Sequence, residues 1–90
     1  MSAVHLAYTA DARKSLKKMD KTTALRIVEK IKENTQLLDP LSRAKALSGG
    51  LAGYHRYRIG NYRVIFTVTE GGNITIYTIL TIKHRKDVYR

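Results

Sequence analysis

The chain has no cysteine. That excludes disulfides and thiolate metal sites as supports for the fold, and it suits a reducing cytoplasm, the compartment expected here. Carboxylates are scarce as well: seven Asp and Glu stand against 17 Lys and Arg in 90 residues, for a formal charge of +10. No apolar run approaches the length needed to span a bilayer. The opening residues Met1 to Tyr8 lack the basic start and longer apolar core of a signal peptide. A soluble protein with no membrane partner is the expectation.

Familiar catalytic patterns are missing too. His5, His55 and His84 are scattered without ligand spacing, so no metal is implied, nor any other cofactor. Gly49-Gly50 is not followed by the Lys-Ser or Lys-Thr of a phosphate loop and reads as a flexible turn. No serine has a base at a recognisable spacing. What is left is metal-free chemistry on phosphate, or binding alone.

The charge is what the chain has in excess, and it points to a polyanionic partner. After Pro40 the only carboxylates are Glu70 and Asp87, while Lys45, Arg56, Arg58, Arg63, Lys83, Arg85, Lys86 and Arg90 are cationic. Before Pro40, acids and bases are interleaved, as on an ordinary exposed helix surface.

Ninety residues make a single domain, 1–90, able to bury roughly 60 to 65% of its unfolded surface. Val4, Leu6 and Tyr8 alternate with small or polar residues and predict a short first strand. Thr9 is positioned to cap a helix whose stripe is Ala12, Leu16 and Met19, and Asp20 to cap a second. Ala24, Val28, Ile31, Thr35 and Leu38 form the inward face of that second helix, which Pro40 is expected to end.

From Tyr54 onward the period falls to 2. Tyr54 to Ile59, Tyr62 to Thr69 and Asn73 to Lys83 predict three strands, joined by tight hairpins at Gly60-Asn61 and Gly71-Gly72. In the last strand Ile74, Ile76, Leu80 and Ile82 share one face, expected to lie under the helices. The fold class is α+β, a small antiparallel sheet with an N-terminal helical hairpin packed on one face, in the order β-α-α-β-β-β.

Strand parity then places the cations. Arg56 and Arg58 must project together, and unpaired burial of two guanidinium groups is costly, so both go to the open face with Tyr57 and Ile59 inside. Arg63 starts the next strand within reach of Arg58, and Lys83 ends the following one. The tail Lys83-His84-Arg85-Lys86-Asp87-Val88-Tyr89-Arg90 adds cations, an imidazole and a phenol. Such a set can grip a phosphate while Tyr89 or His84 moves a proton. His55 should point toward the helices and be structural.

The succession Leu47-Ser48-Gly49 to Gly53, then His55-Arg56-Tyr57-Arg58-Ile59-Gly60-Asn61-Tyr62-Arg63-Val64-Ile65-Phe66, then Lys83-His84-Arg85-Lys86-Asp87-Val88-Tyr89, resembles the RelE toxins of the RelE/ParE superfamily. The resemblance covers nearly the whole chain and implies the same fold. The RelE branch cuts messenger RNA in the ribosomal A site; the ParE branch inhibits DNA gyrase.

For this chain the resemblance implies an endoribonuclease in which the RNA 2′-hydroxyl attacks the adjacent phosphate. Tyr89 would take the hydroxyl proton, helped by cations that favour the phenolate. Arg63 would hold the scissile phosphate, with Lys83 and Arg85 beside it. Arg56 and Arg58 would bind phosphate and support the leaving group, and Lys45 and Lys86 complete the RNA-binding set. Lys83 stands where an arginine is often found, and Arg56 and Arg58 where lysines can occur. Because arginine cannot readily act as a general acid, His84 is the natural replacement. The implied partners are messenger RNA, the A site of the 70S ribosome, and a small acidic RelB-like antitoxin through which alone operator DNA would be bound.

Overall fold

The computed structural model describes residues 3–88. Strand β1 (Ala3–Tyr8) leads into helix α1 (Ala10–Lys18) and helix α2 (Lys21–Thr35). A 3-10 turn (Pro40–Arg43), a short strand β2 (Ala44–Ala46) and a second turn (Gly49–Leu51) then precede β3 (His55–Ile59), β4 (Tyr62–Gly71) and β5 (Ile74–His84). Helix α3 (Arg85–Val88) follows directly. The sheet has five strands in the order β1-β5-β4-β3-β2.

This is the expected α+β architecture with two differences. The sheet is mixed rather than antiparallel throughout, because β1 pairs parallel with β5. That follows from the route of the chain: the two helices form the crossover that a parallel pair requires. Strand β2 is an added edge strand, antiparallel to β3. Its three residues, Ala-Lys-Ala, are too few and too short-chained to announce a strand by periodicity.

Both helix caps are as expected. Thr9 Oγ1 accepts from the Ala12 N–H at 3.2 Å, and Asp20 Oδ2 accepts from the Thr23 N–H at 3.1 Å. Helix α2, however, stops at Thr35, five residues short of Pro40, and Leu38 is fully exposed instead of inward. The Thr35 hydroxyl donates to the carbonyls of Ile31 and Lys32, and the N–H groups of Gln36 and Leu37 turn to carbonyls three residues back. These local bonds close the helix before proline is reached.

The larger departure is in β5. Phe66 stands opposite Ile79 and Ile65 opposite Thr81, so Leu80 is an extra residue with no opposite number. This bulge reverses the parity of the strand. Before it, Tyr77 and Ile79 are buried; after it, Ile82 is. The expected face of Ile74, Ile76, Leu80 and Ile82 therefore does not exist as a unit, and Ile74 is exposed. Thr9 holds the bulge: its N–H donates to the Ile79 carbonyl at 3.0 Å and its hydroxyl to the Leu80 carbonyl at 2.6 Å. The Thr9 N–H thus continues the parallel β1–β5 ladder by one bond, and its hydroxyl satisfies the carbonyl of the extra residue.

The two hairpins are also alike in a way their sequences only partly disclose. The turns are Gly60-Asn61 and Gly72-Asn73, each with positive φ at glycine (57° and 58°) and none at asparagine. Glycine first and a negative-φ residue second is the pattern of a type II′ hairpin. Gly71 belongs to β4.

The core lies between the helices and one sheet face. Tyr57 stacks on Phe66 with ring centroids 4.4 Å apart, and Tyr77 packs at 6.0 Å on the other side. His55 stacks on Phe66 at 5.5 Å, the helix-side position expected for it. Ile27 and Ile31 of α2 and Ala12 of α1 close this layer from above. The fully buried Tyr57 hydroxyl donates to the Pro40 carbonyl at 2.7 Å, tying the irregular segment before β2 to the core.

Two outcomes follow from these contacts. Thr9→Ala removes a cap and leaves the Leu80 carbonyl without its donor, so urea denaturation should show a loss of about 1–3 kcal/mol, with Thr9→Ser recovering most of it. Burial pushes the Tyr57 phenol up to about 12. The neutral phenol therefore stabilises the fold fully below the unfolded value of about 10, and this contribution is lost as pH rises from there toward 12. Melting temperatures measured across that window should fall less steeply for Tyr57→Phe than for the parent.

Candidate functional site

The register of β3, β4 and β5 sets three cations in one line across the open sheet face. Arg58 is opposite Arg63, and Arg63 is opposite Lys83. Directly paired strand residues have Cβ atoms about 4.5–5.5 Å apart, a spacing at which like charges repel. Among the described residues none of the three enters an ion pair, whereas Glu33 pairs with Lys30 and with Arg43. Two residues along β3, Arg56 faces the same side, with Lys45 opposite it on β2. The open face is therefore cationic in two successive rows, the second interrupted on β4 by Ile65.

A cleft of about 170 Å³ opens at the end of the first row. Arg58, Arg63 and Arg85 supply its charge, and Gly60, Asn61 and Tyr62 supply its wall. Arg85 is brought there by backbone: its N–H donates to the Asn61 carbonyl at 2.7 Å, which anchors the start of α3 to the β3–β4 turn. Three guanidinium groups around one small concavity match a phosphate, whose oxygens they can engage in paired hydrogen bonds. Lys83 stays in the row but lines the neighbouring groove, beside Asp11 and Ser15 of α1.

His84 is on the opposite side of the sheet from the row. The Leu80 bulge gives Lys83 the open face and His84 the helix face, where its ring meets Tyr62 edge-on at 5.0 Å. Its Nδ1 accepts from the Lys86 N–H at 3.1 Å, which leaves Nε2 as the nitrogen that carries the ring proton. Lys86 is exposed next to Asn61, His84 and Arg85. Tyr89 lies outside the described residues. No group of three His, Asp or Glu capable of holding a metal ion occurs among the described residues. Nor is any helix among them long and apolar enough to cross a membrane.

The sequence predicts only a turn at Gly60-Asn61. The closing pair Ile59–Tyr62 puts the turn immediately beside Arg58 and Arg63, so a two-residue hairpin between two arginines was itself the signal for the cleft wall. Arg26 and Thr23 of α2, which line a second cleft behind Tyr62, carried no such signal.

A family model described as the ParE toxin of type II toxin–antitoxin systems, parDE, matches residues 6–89. No curated protein matches the sequence. Among solved structures, the fold is similar to the toxin–antitoxin complex RelBE2 from Mycobacterium tuberculosis, at a TM-score of 0.75 and 26% identity over 90% of this chain and 96% of that chain. It is similar in fold to a YoeB/ParE toxin from Agrobacterium tumefaciens (TM-score 0.72, 17% identity, 89% and 96% covered). An archaeal RelE–RelB complex from Pyrococcus horikoshii gives 0.65 at 24% identity, with 91% and 94% covered.

The aligned cations make a specific thermodynamic expectation. Lys83→Gln removes one of three charges held in register, so the isolated protein should gain a few tenths of a kcal/mol at low ionic strength. At about 1 M salt, where the Debye length is near 3 Å, the gain should vanish. Paired urea titrations at the two salt concentrations measure both.

Proposed function

This chain belongs to the ParE toxin family of type II toxin–antitoxin systems, and from that membership we propose that it arrests growth as an endoribonuclease acting on messenger RNA in the ribosomal A site. The observation that supports this most is the row Arg58–Arg63–Lys83 ending in a cleft that also takes Arg85. Several cations held around one small concavity suit a reacting phosphodiester, on which negative charge grows during displacement.

In the proposed reaction the 2′-oxygen of the RNA bonds to the neighbouring phosphorus and the bond from phosphorus to the 5′-oxygen breaks. The products are a 2′,3′-cyclic phosphate and a free 5′-hydroxyl. The proton leaving the 2′-hydroxyl goes to Tyr89, the role the family resemblance implies for it. Arg63 and Arg58 hold the phosphate oxygens as charge builds. The 5′-oxygen needs a proton, and guanidinium groups do not surrender theirs readily. The Lys83 ammonium, on the same face of the sheet as Arg63, would supply it, whereas His84 lies on the opposite face. Reaction in line requires the sugar hydroxyl, phosphorus and leaving oxygen to be aligned, and a ribosome-held codon provides that alignment from outside. A reducing cytoplasm, where ribosomes work, is the compartment this implies.

The proposed controlling partner is an acidic antitoxin, since an uncompensated charge of +10 would attract RNA indiscriminately. Two of the structural relatives are complexes with RelB-type proteins.

A second reading has one observation in its favour: the matching family model is of ParE type. On that reading the protein inhibits DNA gyrase without cutting RNA. Primer extension on messenger RNA after brief expression separates the two. Codon-dependent cuts within translated regions are expected, with Arg63→Ala lowering the cleavage rate on programmed ribosomes by about 100-fold or more and Tyr89→Phe by a similar factor. Whole transcripts with altered plasmid supercoiling, and growth arrest that persists in both variants, would sink the ribonuclease reading.

A further inference from the structure

Helix α3 is a single turn, Arg85–Val88. A helix of that length has no cooperativity of its own and stands only where its ends are fixed. Its first two N–H groups, which can have no partner inside the helix, are both taken from outside it. The Arg85 N–H donates to the Asn61 carbonyl at 2.7 Å, and the Lys86 N–H donates to His84 Nδ1 at 3.1 Å. The His84 ring is thus the side-chain cap of α3. Its orientation is set from across the sheet, where Tyr62, paired with His84 in the β4–β5 ladder, meets it edge-on at 5.0 Å. One chain of contacts runs from Tyr62 through the imidazole to the helix whose first residue, Arg85, lines the cationic cleft. A neutral acceptor suits the place: an aspartate would cap as well, but would set a carboxylate next to Arg85.

We propose that His84 is a positioning residue: its neutral imidazole, accepting at Nδ1, holds the start of α3 and with it Arg85 in the phosphate cleft, and it exchanges no proton with the substrate. The inference rests on the ribonuclease reading for its effect on activity, but not for the cap itself. Placement argues for it. The ring is on the helix side of the sheet, away from the face that carries Arg63 and Lys83, and one of its two nitrogens is committed to backbone. Protonation makes Nδ1 a donor, so the cap holds only while the ring is neutral. The grooves that the ring borders are also lined by Lys83 of its own strand, the Tyr62 phenol of β4, Asp11 and Lys18 of α1, Asp20 between the helices, Arg26 of α2, and Arg85 and Lys86 of α3. Among the described residues no carboxylate forms an ion pair with the ring.

The test compares three variants of the full-length protein. His84→Ala removes the acceptor, His84→Phe removes it but keeps a ring against Tyr62, and His84→Asn offers a side-chain oxygen that can accept the same N–H but cannot act as an acid. In the free protein the Lys86 amide should exchange with deuterium roughly tenfold faster in the Ala and Phe variants than in the parent, and Asn should restore the protection. Acidification until the His84 ring NMR signals report the imidazolium should remove the protection from the parent and leave it in His84→Asn. On programmed ribosomes the maximal cleavage rate should fall roughly tenfold in the Ala and Phe variants and recover to within about threefold of the parent in Asn. Lys86 protection that is the same in all four proteins overturns the inference, whatever cleavage does. So does unimpaired cleavage by the Phe variant, or an Asn variant that keeps the protection yet cuts about 100-fold slower, the loss expected of a missing acid. If the parent cuts no message while the amide pattern holds, the ribonuclease reading fails and the cap stands.

Discussion

The fold and the candidate site both depend on one local event, the extra residue at Leu80 and its capture by Thr9. In a strand every side chain alternates, so a single inserted residue exchanges the faces of everything beyond it. Here the exchange occurs four residues before the strand ends. It keeps Ile82 in the core opposite Val64, and it delivers Lys83 to the open face beside Arg63. With strict alternation from Tyr77, Lys83 would point at the helices and His84 would take its place in the row. Thr9 makes the event stable because one residue serves two elements. Its hydroxyl accepts from the first turn of α1 and donates to the bulge, and its N–H takes the carbonyl before it. The crossover from β1 into α1 and the geometry of the cationic row are consequently set at the same point.

What the sequence made legible follows the reach of its periodic signals. Strands β3 and β4 alternate without interruption, and there Tyr57 and Ile59 went inward and Arg56 and Arg58 outward as expected. Thr9 and Asp20 were readable as caps because a short oxygen-bearing side chain before a helical stripe has few other uses. The bulge was not readable, since the residues 79 to 82 are Ile-Leu-Thr-Ile and fit either parity equally well. Pro40 predicts too long a helix α2, because the actual stop is made by the Thr35 hydroxyl, on a residue that also fits an inward stripe. Parallel pairing of β1 with β5 depends on contacts more than 70 residues apart in the chain, which no local pattern encodes.

The site is electrostatically unfavourable as built, and its surroundings show how it is maintained. Three like charges in register resist the pairing of the strands that carry them. On the reverse face those strands bury Tyr57, Val64, Ile82 and Phe66, with the stacked rings at the centre. A buried aromatic or branched side chain contributes about 1.5–3 kcal/mol, against a few tenths for each exposed charge contact. The core therefore dominates by a wide margin, and the row survives because its strands are held from behind. An anion on the open face would relieve the repulsion, so binding and stability are coupled through the same residues.

The same argument explains why the cationic cleft forms at the hairpin tip and not at the middle of the sheet. Mid-sheet, the open face carries Ile65, Thr67 and Thr78, and the core behind it admits nothing. At the tip, the type II′ turn needs only Gly60 and Asn61, leaving both faces accessible within one residue of Arg58 and Arg63. The Asn61 carbonyl, pointing away from the ladder, accepts the Arg85 N–H and so recruits α3 to the same place. A turn that was required merely to reverse the chain thus becomes the wall between the cationic cleft and a second cleft on the helix side.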